Sequence, residues 1–328
     1  STKGPMRTVA RQFPDDPEAE YASRQLARRN FLDFITYTYP QYQPEPFHVN
    51  LCEALEQVLI GDIKRLLIIA PPQHGKSETT SVRFPPYWLA KNPGLPVMLC
   101  SYGASLATEK AGQAKEIIYS QPYINLFPDL FREGTKWGRR KIILKNYNSK
   151  IYSAGVRGAI TGRGAGLGII DDPVKSWVEA YTPHHRASVW EWYRTTFRTR
   201  IWEHGRIIII MTRWHEDDLA GRILNTSGEK WTVLRYPALA ESQEERDEYN
   251  RKYLPSAIGE SDPLNRSQGE PLAPRRFSIN ALLSLKSDIG PRAWSAEYQG
   301  TPKALEGNMF KQEWIGELVD DFPREARF

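Results

Sequence analysis

An α/β fold with a mainly parallel central sheet flanked by helices is predicted by two features of the sequence: short continuous apolar runs with polar ends, and longer amphipathic segments between them. A strand covered on both faces by helices is apolar along its whole length, whereas a half-exposed strand alternates. The runs are Leu66 to Ile69, Val97 to Cys100, Leu167 to Ile170 and Ile207 to Met211, and a later strand is expected at Trp231 to Leu234. Lys141 to Leu144 and Lys150 to Tyr152 flank Asn146-Tyr147-Asn148, which predicts an inserted β-hairpin.

The remaining elements follow in order. Residues 1–20 are polar, contain prolines and lack periodicity, so residues 1–25 are expected to form an N-terminal arm. Periodicity begins near Leu26, and Phe31, Leu32, Phe34 and Ile35 predict a helix that ends before the proline-rich stretch Tyr39 to Pro46. His48 to Leu59 places Val49, Leu51, Cys52, Leu55, Val58 and Leu59 on one helical face, and Gly61 stops that helix. Beyond Ala240 the chain becomes highly charged and then rich in Pro, Ser and Gly up to Pro274, the composition of a surface excursion or lid. A helix is expected around Ile279 to Leu285. These boundaries give one α/β unit over residues 26–275 and a linker region over 276–328.

Composition bounds the function. A chain of 328 residues with 40% apolar residues can bury a core of its own. No run of about 18 apolar residues and no signal-peptide pattern occurs, so a soluble intracellular protein without membrane contact is expected. Both cysteines, Cys52 and Cys100, occupy positions of small hydrophobes and read as buried free thiols. A net charge of +5 suits a polyanionic partner without requiring one.

Chemistry enters at Ala70-Pro71-Pro72-Gln73-His74-Gly75-Lys76-Ser77, which has the spacing of a phosphate loop except that Ala70 replaces the first glycine. It follows a buried strand and opens a segment that can be helical until Phe84-Pro85-Pro86, the strand–loop–helix context the motif needs. In such a loop the backbone N–H groups and the helix N-terminus surround a β-phosphate. Gln73, His74, Gly75, Lys76, Ser77 and Glu78 are therefore the candidate nucleotide-binding residues, with Lys76 reaching the β- and γ-oxygens of ATP and Ser77 ligating Mg²⁺.

Leu167-Gly168-Ile169-Ile170-Asp171-Asp172 is an apolar strand ending in two acids. Asp171 is the candidate Mg²⁺ carboxylate, and Asp172 is the candidate for orienting and polarising the attacking water. Glu is commoner at the second position, and Asp is one methylene shorter, so either the strand end lies closer to the nucleotide or another group helps. Thr212 ends the strand Ile207 to Met211 at the same carboxyl edge and could sense a γ-phosphate. The Gly-rich segment Ser153 to Gly164 offers Arg157 and Arg163 as transition-state cations, and the residues do not choose between them.

In this order the motifs resemble the large terminase subunit of tailed phages: Pro44-x-Pro46-Phe47-His48, Ala70 to Ser77, the two-arginine segment, Ile169 to Pro173, Thr212-Arg213-Trp214-His215, and Trp294 to Gly300 followed by Met309-Phe310-Lys311. The resemblance spans roughly residues 30 to 315. It implies a P-loop ATPase that drives double-stranded viral DNA into a procapsid in the cytoplasm of an infected bacterium. Its implied partners are a portal protein, a small terminase subunit and further copies of itself in a ring. It also implies that Phe47 and His48 lie near the adenine, that Thr212 is the coupling residue, and that Arg163 acts in trans. Two departures stand out: Asp172 where Glu is usual, and no acidic nuclease cluster after the linker-like segment. The resemblance thus implies a nuclease part in a longer natural protein, and no DNA cleavage is expected of residues 1–328 themselves.

Three other readings compete. A helicase-like DNA translocase would share both nucleotide motifs but needs a second sheet domain, for which residues 240–328 are short and irregular. A metal-dependent nuclease using Asp171 and Asp172 would leave Lys76 and Ser77 without a role, and a silent scaffold would keep the fold but only bind nucleotide. The stretch Trp190, Trp192, Tyr193, Arg194, Phe197, Arg198, Arg200 suits either a DNA-tracking surface or a helix with inward aromatics and solvated arginines. The basic cluster Lys136 to Lys141 has the same two readings.

Overall fold

A computed structural model describes residues 16–130, 136–138, 141–143, 149–160, 162–226, 228–255 and 257–303. Most of the expected arm, the Asn146 to Asn148 turn and the Met309 to Lys311 motif lie outside the described residues. The first helices are α1 (Pro17–Arg29), α2 (Phe31–Thr38) and α3 (Pro46–Ile60). Helix α1 starts earlier than the apolar periodicity suggests, because Asp16 accepts a bond from the Glu18 N–H and Pro17 sits in the first turn. Helix α3 ends as expected at Gly61, whose φ of 97° is the left-handed cap conformation.

Strand β1 (Arg65–Ile69) leads through the loop into a helix whose π-helical stretch Glu78–Arg83 runs on into α4 (Phe84–Lys91). Then follow β2 (Val97–Ser101), α5 (Ala104–Tyr119) and α6 (Gln121–Leu126). Two short strands, β3 (Lys136–Gly138) and β4 (Lys141–Ile143), form an antiparallel ribbon. The inserted ribbon is thus present, but its strands differ from those expected. Lys141–Ile143 pairs backward with Lys136–Gly138, while the Lys150 stretch becomes β5 (Ile151–Gly155), parallel to β2 in the main sheet. Burial decides it, since Ile151, Ser153 and Gly155 all point inward.

The chain continues through β6 (Ala165–Asp171), α7 (Trp177–Tyr181), α8 (Pro183–Trp192), β7 (Ile201–Met211), α9 (Leu219–Thr226) and β8 (Thr232–Arg235). The region expected to be a surface excursion contains α10 (Gln243–Tyr253) and β9 (Ile258–Ser261), which adds a strand at the sheet edge. Helix α11 (Ile279–Ala293) and the turn Trp294–Tyr298 follow.

The main sheet has seven parallel strands in the order β5-β2-β6-β7-β1-β8-β9. Strand β1 therefore lies inside the sheet, and its side chains divide between two cores. Leu66 and Ile68 pack with Phe31, Phe34, Phe47 and Trp88, whereas Leu67 and Ile69 pack with Val189, Phe197 and Ile223 on the opposite face. This two-sided burial is why β1, β2 and β6 read as unbroken apolar runs. Trp192, Tyr193 and Phe197 are buried in the second core, and Arg198 pairs with Glu229, which favours the inward-aromatic reading of that stretch. Both cysteines are buried free thiols. Among the described residues, no helix is long and apolar enough to cross a membrane.

Candidate nucleotide site

Parallel pairing sets the register at the carboxyl edge of the sheet. Ile69 lies beside Met211 and Arg235, and Asp171 lies beside Ser101 and Ile210. The residues that follow β1, β6 and β7 therefore leave the sheet side by side, the place where open α/β sheets bind ligands.

The loop after β1 needs two left-handed residues, and they are Gln73 (φ 60°) and Gly75 (φ 87°). Ala70 has no positive φ, so the absent first glycine removes nothing the backbone requires here. A Cβ on Gly75 would come within 2.8 Å of His48 Nε2. The only side chain of the loop that turns into the site with a charge is Lys76, which is 4% exposed.

Lys76 Nζ donates to Thr212 Oγ1 at 2.7 Å, approaches Asp172 Oδ2 at 3.4 Å and reaches the Pro71 carbonyl at 3.5 Å. Ser77 Oγ donates to Asp171 Oδ1 at 2.9 Å. Asp172 adopts a left-handed φ of 46°, and its Oδ1 accepts the Thr212 backbone N–H at 2.8 Å. The strained turn aims this carboxylate across the edge towards β7 and the loop lysine. Lys76, Ser77, Asp171, Asp172 and Thr212 are thus brought together from three strand ends. Glu78 is turned away to Arg83, whose Nε donates to it at 2.7 Å.

Three supports of this site were not anticipated. Lys110 of α5 donates to Asp171 Oδ2 at 2.6 Å, balancing a carboxylate that is fully buried. Arg276 Nη1 donates to the Gln73 carbonyl at 3.2 Å, and the Phe277 ring stacks on His74 at 4.7 Å. The Lys110 signal was present in the sequence: it falls on the buried stripe Ala107, Lys110, Ala111, Ala114 of an amphipathic helix, where an uncompensated ammonium is not tolerated. The Arg276 and Phe277 contacts join distant parts of the chain, and no local pattern encodes them.

Phe47 and His48 lie behind the loop, and both are fully buried. The Glu45 N–H donates to His48 Nδ1 at 3.0 Å, which leaves Nε2 to donate to the His74 carbonyl at 2.9 Å. His74 Nδ1 donates to the Pro72 carbonyl at 2.7 Å. Burial drives both imidazoles down to about 4, so they are neutral braces of the loop. Arg157 is exposed with Nη1 3.4 Å from His185 Nδ1, and the Arg163 guanidinium lies 5.2 Å over the Tyr152 ring of β5. Strands β2, β6 and β7 separate that ring's strand from β1.

A parallel sheet with a glycine-lysine-serine loop at its carboxyl edge and paired acids at the end of β6, one strand removed from β1, has the architecture of the phosphate-loop NTPase class. The chain belongs to the terminase large subunit family: the family model described as terminase large subunit, T4likevirus-type, N-terminal, matches residues 67–317. Among solved structures, the Thermus phage P74-26 large terminase ATPase domain, in a mutant form, is similar with a TM-score of 0.53 at 15% identity, covering 82% of this chain and 98% of that one. The HK97 bacteriophage large terminase is similar over 83% of this chain and 54% of that one, with a TM-score of 0.43 and 14% identity. The large terminase of a thermophilic bacteriophage, in complex with ADP, matches over 79% of this chain and 56% of that one, with a TM-score of 0.40 and 10% identity. The chain spans little more than half the length of the latter two. No curated protein matches it.

Proposed function

We propose that this chain is the ATPase part of a viral DNA-packaging motor, hydrolysing ATP with Mg²⁺ to translocate double-stranded DNA into a procapsid. The observation that carries the reading is the single cluster in which Lys76 touches Thr212 and Asp172 while Ser77 touches Asp171. The Thermus phage relative whose fold this chain shares is an ATPase domain.

Residue roles follow from position. Lys76 offsets charge on the β- and γ-oxygens, and Gln73 to Glu78 supply the backbone cradle. Ser77 Oγ and Asp171 Oδ1, 2.9 Å apart, are adjacent hard oxygen donors of the kind Mg²⁺ prefers, and they would hold it. The chemistry such an ion would supply when bound is positive charge to offset that of the phosphates. Asp172 has its carboxylate anchored beside Lys76 and would orient the attacking water. Thr212, bonded to both Lys76 and Asp172, would report γ-phosphate loss to β7. Phe47 and His48 stand behind the loop and would fix the cradle at the adenine side. A ring of such subunits, acting with a portal protein and a small terminase subunit, is the assembly this reading requires. Residues 276–328 would then lead from the ATPase unit towards a nuclease part.

Mg²⁺-dependent phosphate release, measured with and without DNA, tests the reading. Lys76→Ala should abolish release, and Asp172→Asn should keep nucleotide binding while stopping turnover. Unchanged release by Lys76→Ala sinks the assignment. Metal-dependent DNA cutting lost on Asp171→Ala but kept in Lys76→Ala would favour a nuclease instead.

A further inference from the structure

The turn Trp294–Tyr298 and the residues after it are docked on the same carboxyl edge as the nucleotide loop. The Ala238 N–H donates to the Tyr298 carbonyl at 2.7 Å, and the Gln299 side chain exchanges bonds of 3.1 and 2.9 Å with the Leu239 backbone. Arg235 at the end of β8 is fully buried, donates through Nε to the Gln299 carbonyl at 2.9 Å and through Nη2 to Thr301 Oγ1 at 2.7 Å. Gly300 has φ 66°, and a Cβ there would fall 2.7 Å from Cγ2 of Ile69, the last residue of β1. The segment therefore touches the strand that feeds the phosphate loop.

One acid of this segment is bonded to the chain that leaves the carboxyl edge. Glu297 Oε1 accepts the Trp177 indole N–H at 2.9 Å, and the Trp177 ring packs edge-on against Trp214 at 5.4 Å. Trp177 follows β6 and its two acids, while Trp214 follows Thr212, so Glu297 meets the chain leaving two catalytic-edge strands. The charged and titratable groups around it are Lys76 in the loop, Asp172 beside that lysine, Tyr298 next in the chain, and Arg292, whose guanidinium lies 5.4 Å over the Trp177 ring. Burial pushes the Glu297 carboxyl up, and the Trp177 bond and the Lys76 charge pull it back down.

We propose that Glu297 is a positioning residue of the nucleotide site, through which occupancy of the phosphate loop is communicated to the Trp294–Thr301 segment. The proposal rests on the nucleotide reading of the loop given above. A triphosphate on the loop neutralises Lys76 and adds negative charge, so Glu297 loses its offsetting cation and faces an anion in a half-buried place. The carboxyl responds by binding a proton, and its grip on Trp177 and on the site changes with its charge. The Trp294–Thr301 segment carries that change, because its backbone is bonded to β8 and the chain after it.

The test uses the full chain, Mg²⁺ and a non-hydrolysable ATP analogue. Calorimetry in buffers of different ionisation heat at mildly acidic pH measures proton uptake on binding, and amide hydrogen exchange follows residues 294–301. Wild type should take up protons beyond those taken up by Glu297→Gln, and the exchange of the segment should respond to the analogue in wild type only. The affinity of Glu297→Gln should match wild type at acidic pH, where the carboxyl is protonated, and exceed it as pH rises and the wild-type carboxylate ionises, since the variant keeps the shape and loses only the charge. Trp177→Phe keeps the carboxylate without its donor, and its proton uptake should move to higher pH. Equal proton uptake by wild type and Glu297→Gln, or an exchange response retained in Glu297→Gln, overturns the proposal. Failure of wild type to bind the analogue at all sinks the nucleotide reading itself, and this inference with it.

Discussion

Lys76 Nζ donates to Thr212 Oγ1 at 2.7 Å, so the loop lysine is tied to the end of the adjacent strand β7 by a charged hydrogen bond. A bond to a charged donor is worth about 1.5–3 kcal/mol, enough to matter when Lys76 must choose between this hydroxyl and a phosphate. Thr212→Val keeps the volume and removes the acceptor. Nucleotide binding should persist or tighten, because a competitor for Lys76 is gone, whereas turnover should fall by roughly tenfold under the proposed coupling role of Thr212. Equal turnover of the variant and wild type in a steady-state phosphate assay would remove Thr212 from the coupling role.

Lys110 and Asp171 form a buried ion pair at 2.6 Å, with Asp171 wholly inaccessible. Removing one partner of such a pair leaves a buried charge, a loss of about 3 kcal/mol. Lys110→Met should lower the denaturant midpoint accordingly, and adding Asp171→Asn in the same chain should restore much of the loss because the orphaned charge is gone. Chemical unfolding of the two variants decides it: no recovery in the double variant would mean that Lys110 acts by packing alone.

The strands that build the site were legible because they are buried on both faces, and motif spacing named the side chains that meet at their carboxyl ends. Continuous apolar runs announced β1, β2 and β6, and the acids and the lysine at their carboxyl ends followed from motif spacing. Strand β7 begins at Ile201, earlier than its apolar run, because Trp202, Glu203 and His204 are exposed before the strand enters the core. Strand β9 was hidden since Ile258-Gly259-Glu260-Ser261 is an edge segment that needs only one partner and little apolarity. The braces His48, Arg276 and Phe277, and the buried Arg235 that pairs with Glu241, depend on contacts between remote segments. Periodicity carries no information about such pairs.

Two neutral imidazoles behind the loop predict an acid-sensitive fold. His48 and His74 are lowered from 6.5 to about 4 by burial, so the folded chain binds fewer protons than the unfolded chain between those values. Stability should therefore be complete above about pH 6.5 and fall as pH drops towards 4, by at most about 3 kcal/mol for each ring. Gln at position 48 can copy both hydrogen bonds without titrating, so His48→Gln should flatten the slope of unfolding free energy against pH. A slope identical to wild type would show that the acid sensitivity arises elsewhere.

Arg163 lies over Tyr152 on β5, the edge strand separated from β1 by three others, so within its own chain it stands away from Lys76. It precedes β6 and stacks near the start of β5, at the amino end of the sheet. Under the proposed reading it would act on a neighbouring subunit, where a cation supplied in trans would stabilise the charge that develops on the γ-phosphate. Isolated subunits should then turn over slowly, and Arg163→Ala should abolish the increase seen on assembly. Mixing Lys76→Ala with Arg163→Ala subunits gives the sharper result: some interfaces pair an intact loop on one subunit with an intact arginine on the other, and hydrolysis returns there. The assay belongs under assembling conditions, with portal and DNA where the ring needs them, since monomers lack the interface altogether. A mixture as inactive as its parts would mean that the arginine acts within its own chain. Rescue that instead follows Arg157→Ala would move the role to Arg157, which is exposed on the adjoining turn.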